Sequence, residues 1–138
     1  IPAATLAAKG DALRLEASLG LSNNTGDAGL GVKYAYIYLN SAVAHTALSS
    51  EFIIEENIFS VQIDCYMTRR SDQEQLFCRF KVSMYDDYYQ LVKEECFTQT
   101  VDVNDLTSAV NDISVRAKAT GNGENVSIYE FVLTKYKI

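Results

Sequence analysis

The chain has 138 residues, of which 48% are hydrophobic and 22% are charged, with one proline and seven glycines. This composition excludes a disordered or fibrous chain, and the length fits one domain that builds its own core. A net charge of −6 argues against nucleic acid as a partner and against an anionic membrane surface, because both are bound through basic patches. We therefore predict a single domain over residues 1–138, in which residues 1–10 form an extended N-terminal segment.

The first half of the chain contains short runs in which apolar and polar residues alternate, the pattern of half-buried strands. Leucine and alanine alternate with polar residues over 13–19, which predicts a first strand, and a polar loop follows over 22–29. Residues 30–39 are rich in aromatic and β-branched side chains and predict a long second strand. Residues 40–50 fit either a short helix or an extended connection, and a short strand is expected at 52–54.

The middle of the chain carries the clearest alternation. Apolar side chains occupy every second position over 59–67 and again over 76–84, and a polar loop over 68–75 separates the two runs. Two such runs joined by a polar loop are typical of an antiparallel hairpin with one buried face. The sequence therefore predicts a hairpin between residues 59 and 84.

The last third of the chain predicts further short strands. Residues 88–93 and 97–103 are candidates, and alternation returns over 113–119. A reversal is expected at 121–123, where glycine and asparagine accept positive φ, and residues 126–133 form the last strand. The two runs that flank this reversal predict a second hairpin.

These runs amount to about seven to nine short strands without a strand–helix–strand pattern. Such a series predicts an all-β fold, with an antiparallel β-sandwich as the favoured architecture. The alternative is a closed up-and-down β-barrel. Both architectures bury every second residue, so alternation fits either one.

The three cysteines allow several pairings. Cys65 and Cys78 fall on the apolar faces of the two predicted hairpin strands, so they are the disulfide candidates. Such a bridge would close a loop of about 14 residues and contribute about 3 kcal/mol in the chain-entropy model. Cys96 is then a free buried thiol or an intermolecular bridge, although it could also pair with either of the other two. The spacing lacks the close pairs of zinc sites, so no metal is expected.

Two features favour a secreted or cell-surface glycoprotein. The sequons at Asn23 and Asn125 are glycosylation candidates, and both lie in turn-like sequence. The chain begins with Ile1-Pro2 and without methionine, which is typical of a processed terminus. No run reaches the roughly 18 apolar residues of a spanning helix, so membrane insertion is not expected.

The sequence carries no recognisable catalytic pattern. The one histidine, His45, has no nucleophile motif or neighbouring carboxylate around it. There is no phosphate-binding glycine motif, and there is no tryptophan to line a sugar cleft. We therefore predict that the protein is not an enzyme and uses no cofactor.

Nine tyrosines without a tryptophan make an uneven aromatic set. Three tyrosines recur at every second position of the predicted strand at 30–39, and three more flank an Asp-Asp pair after residue 84. Exposed tyrosines suit a binding face, whereas the alternative is ordinary cross-strand packing. The candidate binding residues are Tyr34, Tyr36, Tyr38, Tyr85, Asp86, Asp87, Tyr88 and Tyr89.

Taken together, these observations predict a non-enzymatic binding module that recognises a protein or a glycan, in adhesion or as an effector. One alternative is a small lipocalin-like barrel that carries an apolar ligand inside, as the apolar alternation would allow. Another is a structural or coat subunit, in which Cys96 or an edge strand joins copies of the chain into a homo-oligomer.

Overall fold

The computed structural model is built from β-strands. It describes residues 6, 8–23, 33–41, 45–47, 52–54, 58–70, 75–102, 111–119 and 124–137. These residues include no helix, and hence none that is long and apolar enough to cross a membrane. The strands are β1 (Asp11–Asn23), β2 (Lys33–Ser41), β3 (His45–Ala47), β4 (Phe52–Ile54), β5 (Ser60–Arg69), β6 (Gln75–Tyr85), β7 (Leu91–Asp102), β8 (Asn111–Ala119) and β9 (Glu124–Lys137).

The strands form two antiparallel groups. Strands β7, β6, β5, β1 and β9 lie side by side, in that order, in an open five-stranded sheet. In the second sheet, β2 pairs with β8 along one edge and with β3 and β4 along the other. An all-β fold of antiparallel strands is therefore confirmed.

The hairpin predicted in the middle of the chain is the β5–β6 pair. Its register sets Ser60 opposite Tyr85 and Arg69 opposite Leu76. The other edge of β5 pairs with β1, so β5 is the central strand of the five-stranded sheet. The polar loop is shorter than predicted, because the strands continue into both of its ends.

The two runs of the second predicted hairpin do not pair with each other. Strand β8 pairs with β2, whereas β9 pairs with β1 of the five-stranded sheet. Alternation shows that a strand has one buried face, but it does not identify the neighbouring strand. The hairpin prediction is therefore wrong, and the reversal expected at 121–123 lies outside the described residues.

Strand β7 runs from Leu91 to Asp102 without a break, where the sequence predicts two shorter strands. The apparent break was the Glu94-Glu95 pair, which interrupts the apolar pattern. Because β7 lies at the edge of the sheet, its carboxylates can reach water while the backbone continues to pair with β6.

One face of the five-stranded sheet forms the core. Alternate residues of β1, β5 and β6 lie on this face, and Phe80 stacks on Phe97 of β7 with ring centroids 4.7 Å apart. Val115 of β8 is buried in the same cluster, so the second sheet contributes to this core. The buried residues of this core cluster are Leu6, Leu13, Leu15, Ala17, Leu19, Leu21, Ile58, Val61, Ile63, Cys65, Met67, Leu76, Cys78, Phe80, Val82, Met84 and Val115.

The N-terminal segment folds back onto the sheet where it is described. Leu6 is buried in the core, and the buried Arg69 donates a hydrogen bond from Nη1 to the Leu6 carbonyl at 2.9 Å. The Gly10 amide donates to the Arg69 carbonyl at 2.8 Å, and a φ of 94° explains why glycine occupies this position. The Ala8 amide donates to the Asp11 carboxylate at 2.9 Å. Residues 8–10 form a turn, whereas residues 1–5 and 7 of the predicted extended segment lie outside the described residues.

An irregularity in β9 places Tyr129 over β1. The pairing of β1 with β9 shifts between Ser18 and Leu19, so Tyr129 is the extra residue of a β-bulge. Its ring lies against Gly20, where a Cβ atom would overlap the ring carbons. A glycine in the interior of a sheet leaves backbone uncovered, and here the tyrosine ring covers it.

Candidate functional site

The loop between β6 and β7 presents the two most exposed large apolar side chains that the structure describes. Tyr88 and Tyr89 are 77% and 86% exposed. The Asp86 carboxylate closes the loop, because its Oδ1 accepts hydrogen bonds from the amides of Tyr88 and Gln90, both at 2.9 Å. Backbone hydrogen bonds of 3.0 and 3.1 Å join Asp86 to Gln90 and Tyr89. The two tyrosines therefore extend into solvent from a loop that its own hydrogen bonds hold in place.

Tyr89 has a left-handed backbone conformation, with φ at 60°. This conformation costs roughly 1–2 kcal/mol for a residue with a Cβ atom, and it is rare for bulky side chains. Tyr89 makes no compensating burial, since it is almost fully exposed. A costly conformation at an exposed aromatic residue points to a functional reason for retaining the tyrosine.

Replacing Tyr89 by glycine should raise the free energy of unfolding by about 0.5–1 kcal/mol. The gain is the relief of the left-handed conformation, reduced by the roughly 0.5–1 kcal/mol of entropy that glycine adds to the unfolded chain. Urea denaturation measures it. The matched control is Tyr88→Gly, which relieves no such strain and should lower stability. A destabilised Tyr89→Gly variant would contradict the strain argument.

Further exposed apolar residues lie at the same end of the five-stranded sheet. Phe59 is exposed, and its amide donates to the Tyr85 carbonyl at 2.9 Å, next to the loop. Leu91, opposite Tyr85, is exposed on the other side of the loop. Tyr129 is exposed over Gly20. Gly20 lies opposite Ser60, and Ser60 lies opposite Tyr85, so Tyr129 is at the same end of the sheet as the loop. We call this set the aromatic end, and its members are Phe59, Tyr88, Tyr89, Leu91 and Tyr129.

The structure separates the two predicted tyrosine groups. Tyr85, Asp86 and Asp87 belong to the same loop region as Tyr88 and Tyr89, where Tyr85 is partly buried, Asp86 holds the turn and Asp87 is exposed. These five residues are the second of the two predicted tyrosine groups.

The first group is on β2, in the other sheet. Tyr34, Tyr36 and Tyr38 lie opposite Lys118, Arg116 and Ser114 of β8. Their side chains are outside the described set, so the predicted tyrosine face stays a prediction.

Polar side chains form an open groove on the face of the sheet that lies away from the core. The Arg14 guanidinium donates to both oxygens of Asp64, with Nε–Oδ1 at 3.0 Å and Nη2–Oδ2 at 2.7 Å. The same group lies 3.1 Å from Glu16, and Lys81 lies 3.7 Å from Glu94. This outer groove, lined by these five residues and their neighbours, has a volume of about 330 Å³.

Sequence reasoning missed the outer groove. Arg14 and Asp64 are far apart in the chain, and only the register of β1 against β5 brings them together. The one sequence feature that pointed to this groove was that Arg14 and Asp64 both occupy polar positions of alternating runs. Their ion pair is substantially exposed, and such pairs contribute at most about 1 kcal/mol. Because both basic side chains of the groove, Arg14 and Lys81, pair with carboxylates, the groove resembles a solvated sheet face more than a site for an anion.

The disulfide predicted between Cys65 and Cys78 is not formed, and both thiols are free. The register sets Cys65 opposite Phe80 and Cys78 opposite Met67, two residues away from direct opposition. A disulfide between neighbouring strands needs Cα atoms within about 7 Å and side chains that point at each other, which direct opposition best supplies. Both residues did fall on the apolar face as predicted, and both are buried.

Cys96 is free and exposed, rather than the buried thiol that was one prediction. It lies opposite Lys81, on the polar face of the sheet. The edge position of β7 fits this exposure, since β6 is its one paired neighbour among the strands that the structure describes.

The two buried thiols should make the fold sensitive to alkali. Burial raises the pKa of Cys78 from 9.0 to about 12, and burial, with smaller effects of Cys78 and Asp64, raises the pKa of Cys65. Above pH 9 the unfolded chain therefore loses protons that the folded chain keeps, so stability is full below pH 9 and falls as pH rises, by up to about 1.4 kcal/mol per pH unit for each thiol.

Urea denaturation between pH 8 and pH 10.5 measures this slope, with a Cys65→Ala, Cys78→Ala variant as the control. A slope that survives in the variant would contradict the assignment. A thiol reagent should label Cys96 alone in the folded chain and all three cysteines after unfolding.

The two sequon asparagines lie within strands, not in the predicted turns. Asn23 is the last residue of β1, opposite Glu124, and Asn125 lies opposite Ser22. The two are therefore neighbours beyond Gly20, at the end of the sheet that carries Tyr129. His45 begins β3, opposite Asn40, and its side chain is outside the described set.

Comparison with known proteins gives no information on the function of this site. Comparisons with protein families, with curated proteins and with solved structures found no significant match. The geometry of the aromatic end is therefore the main basis for a functional proposal.

Proposed function

We propose that the protein is a non-enzymatic recognition module that binds a protein partner through the aromatic end. The observation that carries this proposal is the pair Tyr88 and Tyr89, 77% and 86% exposed on a loop fixed by Asp86. Tyrosine is enriched in protein interfaces because it combines a large rigid contact area with a hydroxyl group.

The hydrogen-bonded conformation of the loop between β6 and β7 should increase its affinity for a protein partner. A binding loop that is disordered before binding must lose conformational freedom when it binds, whereas the hydrogen bonds of Asp86 already hold this loop. The neighbouring Phe59 and Leu91 extend the apolar area around the two tyrosines. Exposed Asp87 adds a negative charge at the loop, so the partner surface should be apolar with a basic rim.

A β-sandwich is the architecture that we propose for the two sheets. It is supported by the burial of Val115 of β8 among core residues of the five-stranded sheet, which suits two sheets packed face to face. The carrier alternative would need an internal apolar cavity. The outer groove instead lies on the polar face, where an apolar ligand would find charged side chains.

We also propose that the protein is secreted or displayed at the cell surface. The support is the pair of sequons at Asn23 and Asn125. The free thiols lend this proposal no weight, because buried reduced cysteines occur in every compartment.

Binding to an array of extracellular protein domains and to a glycan array tests the recognition proposal. The variant combines Tyr88→Ser with Tyr89→Gly and should weaken binding to the protein hits at least tenfold, since each buried interface tyrosine can contribute about 2 kcal/mol or more. The control is Tyr66→Ser, an aromatic truncation beside the outer groove.

The outcomes separate the candidate sites. Loss in the loop variant alone supports the aromatic end. Loss in Tyr66→Ser alone would move the site to the outer groove and contradict the proposal. Hits confined to the glycan array would replace the protein partner by a carbohydrate, and no hit on either array would reject a recognition module for these ligand classes.

A further inference from the structure

The Asn125 sequon falls on the face of the five-stranded sheet that lies away from the core, which we call the outer face. Its asparagine and serine, Asn125 and Ser127, lie opposite Ser22 and Gly20 of β1. Directly opposed residues of two antiparallel strands share a face. Positions 20 and 22 alternate with the leucines at 19 and 21, which belong to the core. Both residues of the sequon are therefore at outer-face positions.

The segment of β9 that contains this sequon is exposed on both of its faces. Ser127, at an outer-face position, is exposed. The next residue, Ile128, lies opposite Leu19 at a core-face position and is still 51% exposed. A large hydrophilic group that is added to this part of the strand can therefore remain in water.

The Asn23 sequon has the opposite placement. Asn23 continues the period of two that includes Leu19 and Leu21, so it is at a core-face position of β1. Leu21 is 6% exposed, and β1 is an interior strand that pairs with β5 on one side and with β9 on the other. Because a glycan is bulky and hydrophilic, one at this position would oppose the packing of the core face.

We propose that Asn125 is the N-glycosylation site of the chain and that Asn23 stays unmodified in the folded protein. The inference rests on the proposal that the chain is secreted or displayed at the cell surface. The donor is a lipid-diphosphate-linked oligosaccharide, and the catalyst is the transferase of the secretory pathway. The side-chain amide nitrogen of Asn125 forms a bond to C1 of the first sugar and gives up one proton. The bond from C1 to the diphosphate oxygen breaks, and the lipid diphosphate leaves.

This glycan would restrict how a partner approaches the aromatic end. The Tyr129 ring covers Gly20 on the outer face, directly across from Ser127, so the first sugar should lie beside this ring. The loop with Tyr88 and Tyr89 follows β6, and β1 and β5 lie between β6 and β9. Three strand spacings of about 4.8 Å make a separation of about 14 Å. The glycan should therefore occupy the Tyr129 side and leave the two loop tyrosines to the partner.

Expression of the full chain behind a foreign signal peptide in a eukaryotic host tests the proposal, because the chain then meets the transferase whatever its natural location. Enzymatic removal of N-glycans converts each glycosylated asparagine to aspartate, which peptide mass spectrometry locates. We expect the occupancy of Asn125 in the secreted protein to be at least tenfold higher than that of Asn23. Ser127→Ala should abolish the glycan and Ser127→Thr should retain it, since either hydroxyl completes the sequon. The matched control, Thr25→Ala, removes the other sequon and should leave the glycan unchanged.

Three results would overturn the proposal. One is a chain that carries no glycan at Asn125, in the secreted protein or in protein that the cell retains. A second is secreted, folded protein in which Asn23 is occupied as often as Asn125. A third is a glycan that Thr25→Ala removes or that Ser127→Ala leaves in place. Because neither a binding partner nor the natural location of the chain enters this measurement, failure here leaves the recognition and secretion proposals to their own tests.

Discussion

Replacing Phe80 by alanine should lower the free energy of unfolding by about 3–5 kcal/mol, the range for large-to-small changes in a packed core. Phe80 is fully buried on β6, and its ring is stacked on Phe97 at 4.7 Å with 17° between the planes. Its removal leaves a cavity between β6 and β7 that the regular strand pairing cannot close. Domains of this size have total stabilities of about 5–15 kcal/mol, so the variant should be close to its unfolding limit.

The matched control is Phe77→Ala, three residues earlier on the same strand and on the opposite face. Phe77 is partly exposed, and the guanidinium of Arg70 lies 3.7 Å from its ring centre. Truncation should cost about 1 kcal/mol, from the cation–π contact and some lost apolar burial. Chemical denaturation measures both variants. Equal losses would mean that the faces of β6 have been assigned incorrectly.

Replacing Arg69 by alanine should cost about 2–3 kcal/mol, the magnitude for a buried hydrogen bond from a charged group. The guanidinium donates to the Leu6 carbonyl at 2.9 Å, while the backbone of Arg69 accepts from Gly10. Without the side chain, the buried Leu6 carbonyl loses this donor. Arg69→Lys should restore only part of the loss, because an ammonium group lacks the fork geometry of guanidinium.

The control for this substitution is Arg79→Ala. Arg79 is exposed, with its guanidinium 5.5 Å from the centre of the Tyr66 ring, so its loss should change stability by less than about 1 kcal/mol. Limited proteolysis locates the effect. The Arg69→Ala variant should be cleaved near Leu6 before the rest of the chain is degraded. If cleavage near Leu6 is no faster than in the wild type, Arg69 does not hold the N-terminal turn.

The sequence predicts the strands of this fold better than their pairing. Alternation located β1, β5 and β6, because each has one buried face and the period of two is fixed by backbone geometry. It failed to show that β9 pairs with β1, since that contact joins the two ends of the chain. Such a pairing depends on the packing of the whole core and has no local signal.

The same distinction applies to the candidate site. Tyr88 and Tyr89 could be proposed from the sequence because they are contiguous with Tyr85 and the two aspartates. The strand predicted over 88–93 was too long, since β7 begins at Leu91 and the hydrogen bonds of Asp86 form a turn before it. The pair of Arg14 and Asp64 was missed because only the strand register joins them. The strand register also explains why the predicted disulfide is not formed, since Cys65 and Cys78 are displaced by two residues from direct opposition.

The contact between Gly20 and Tyr129 restricts how this sequence can diverge. A side chain at position 20 would need the space that the Tyr129 ring occupies, so the two positions are not free to vary separately. We expect that any homologue with a larger residue at position 20 carries a small residue at position 129, and that a large aromatic ring at 129 occurs only with glycine at 20. In an alignment of such sequences this pair should covary, although 109 positions separate them in the chain.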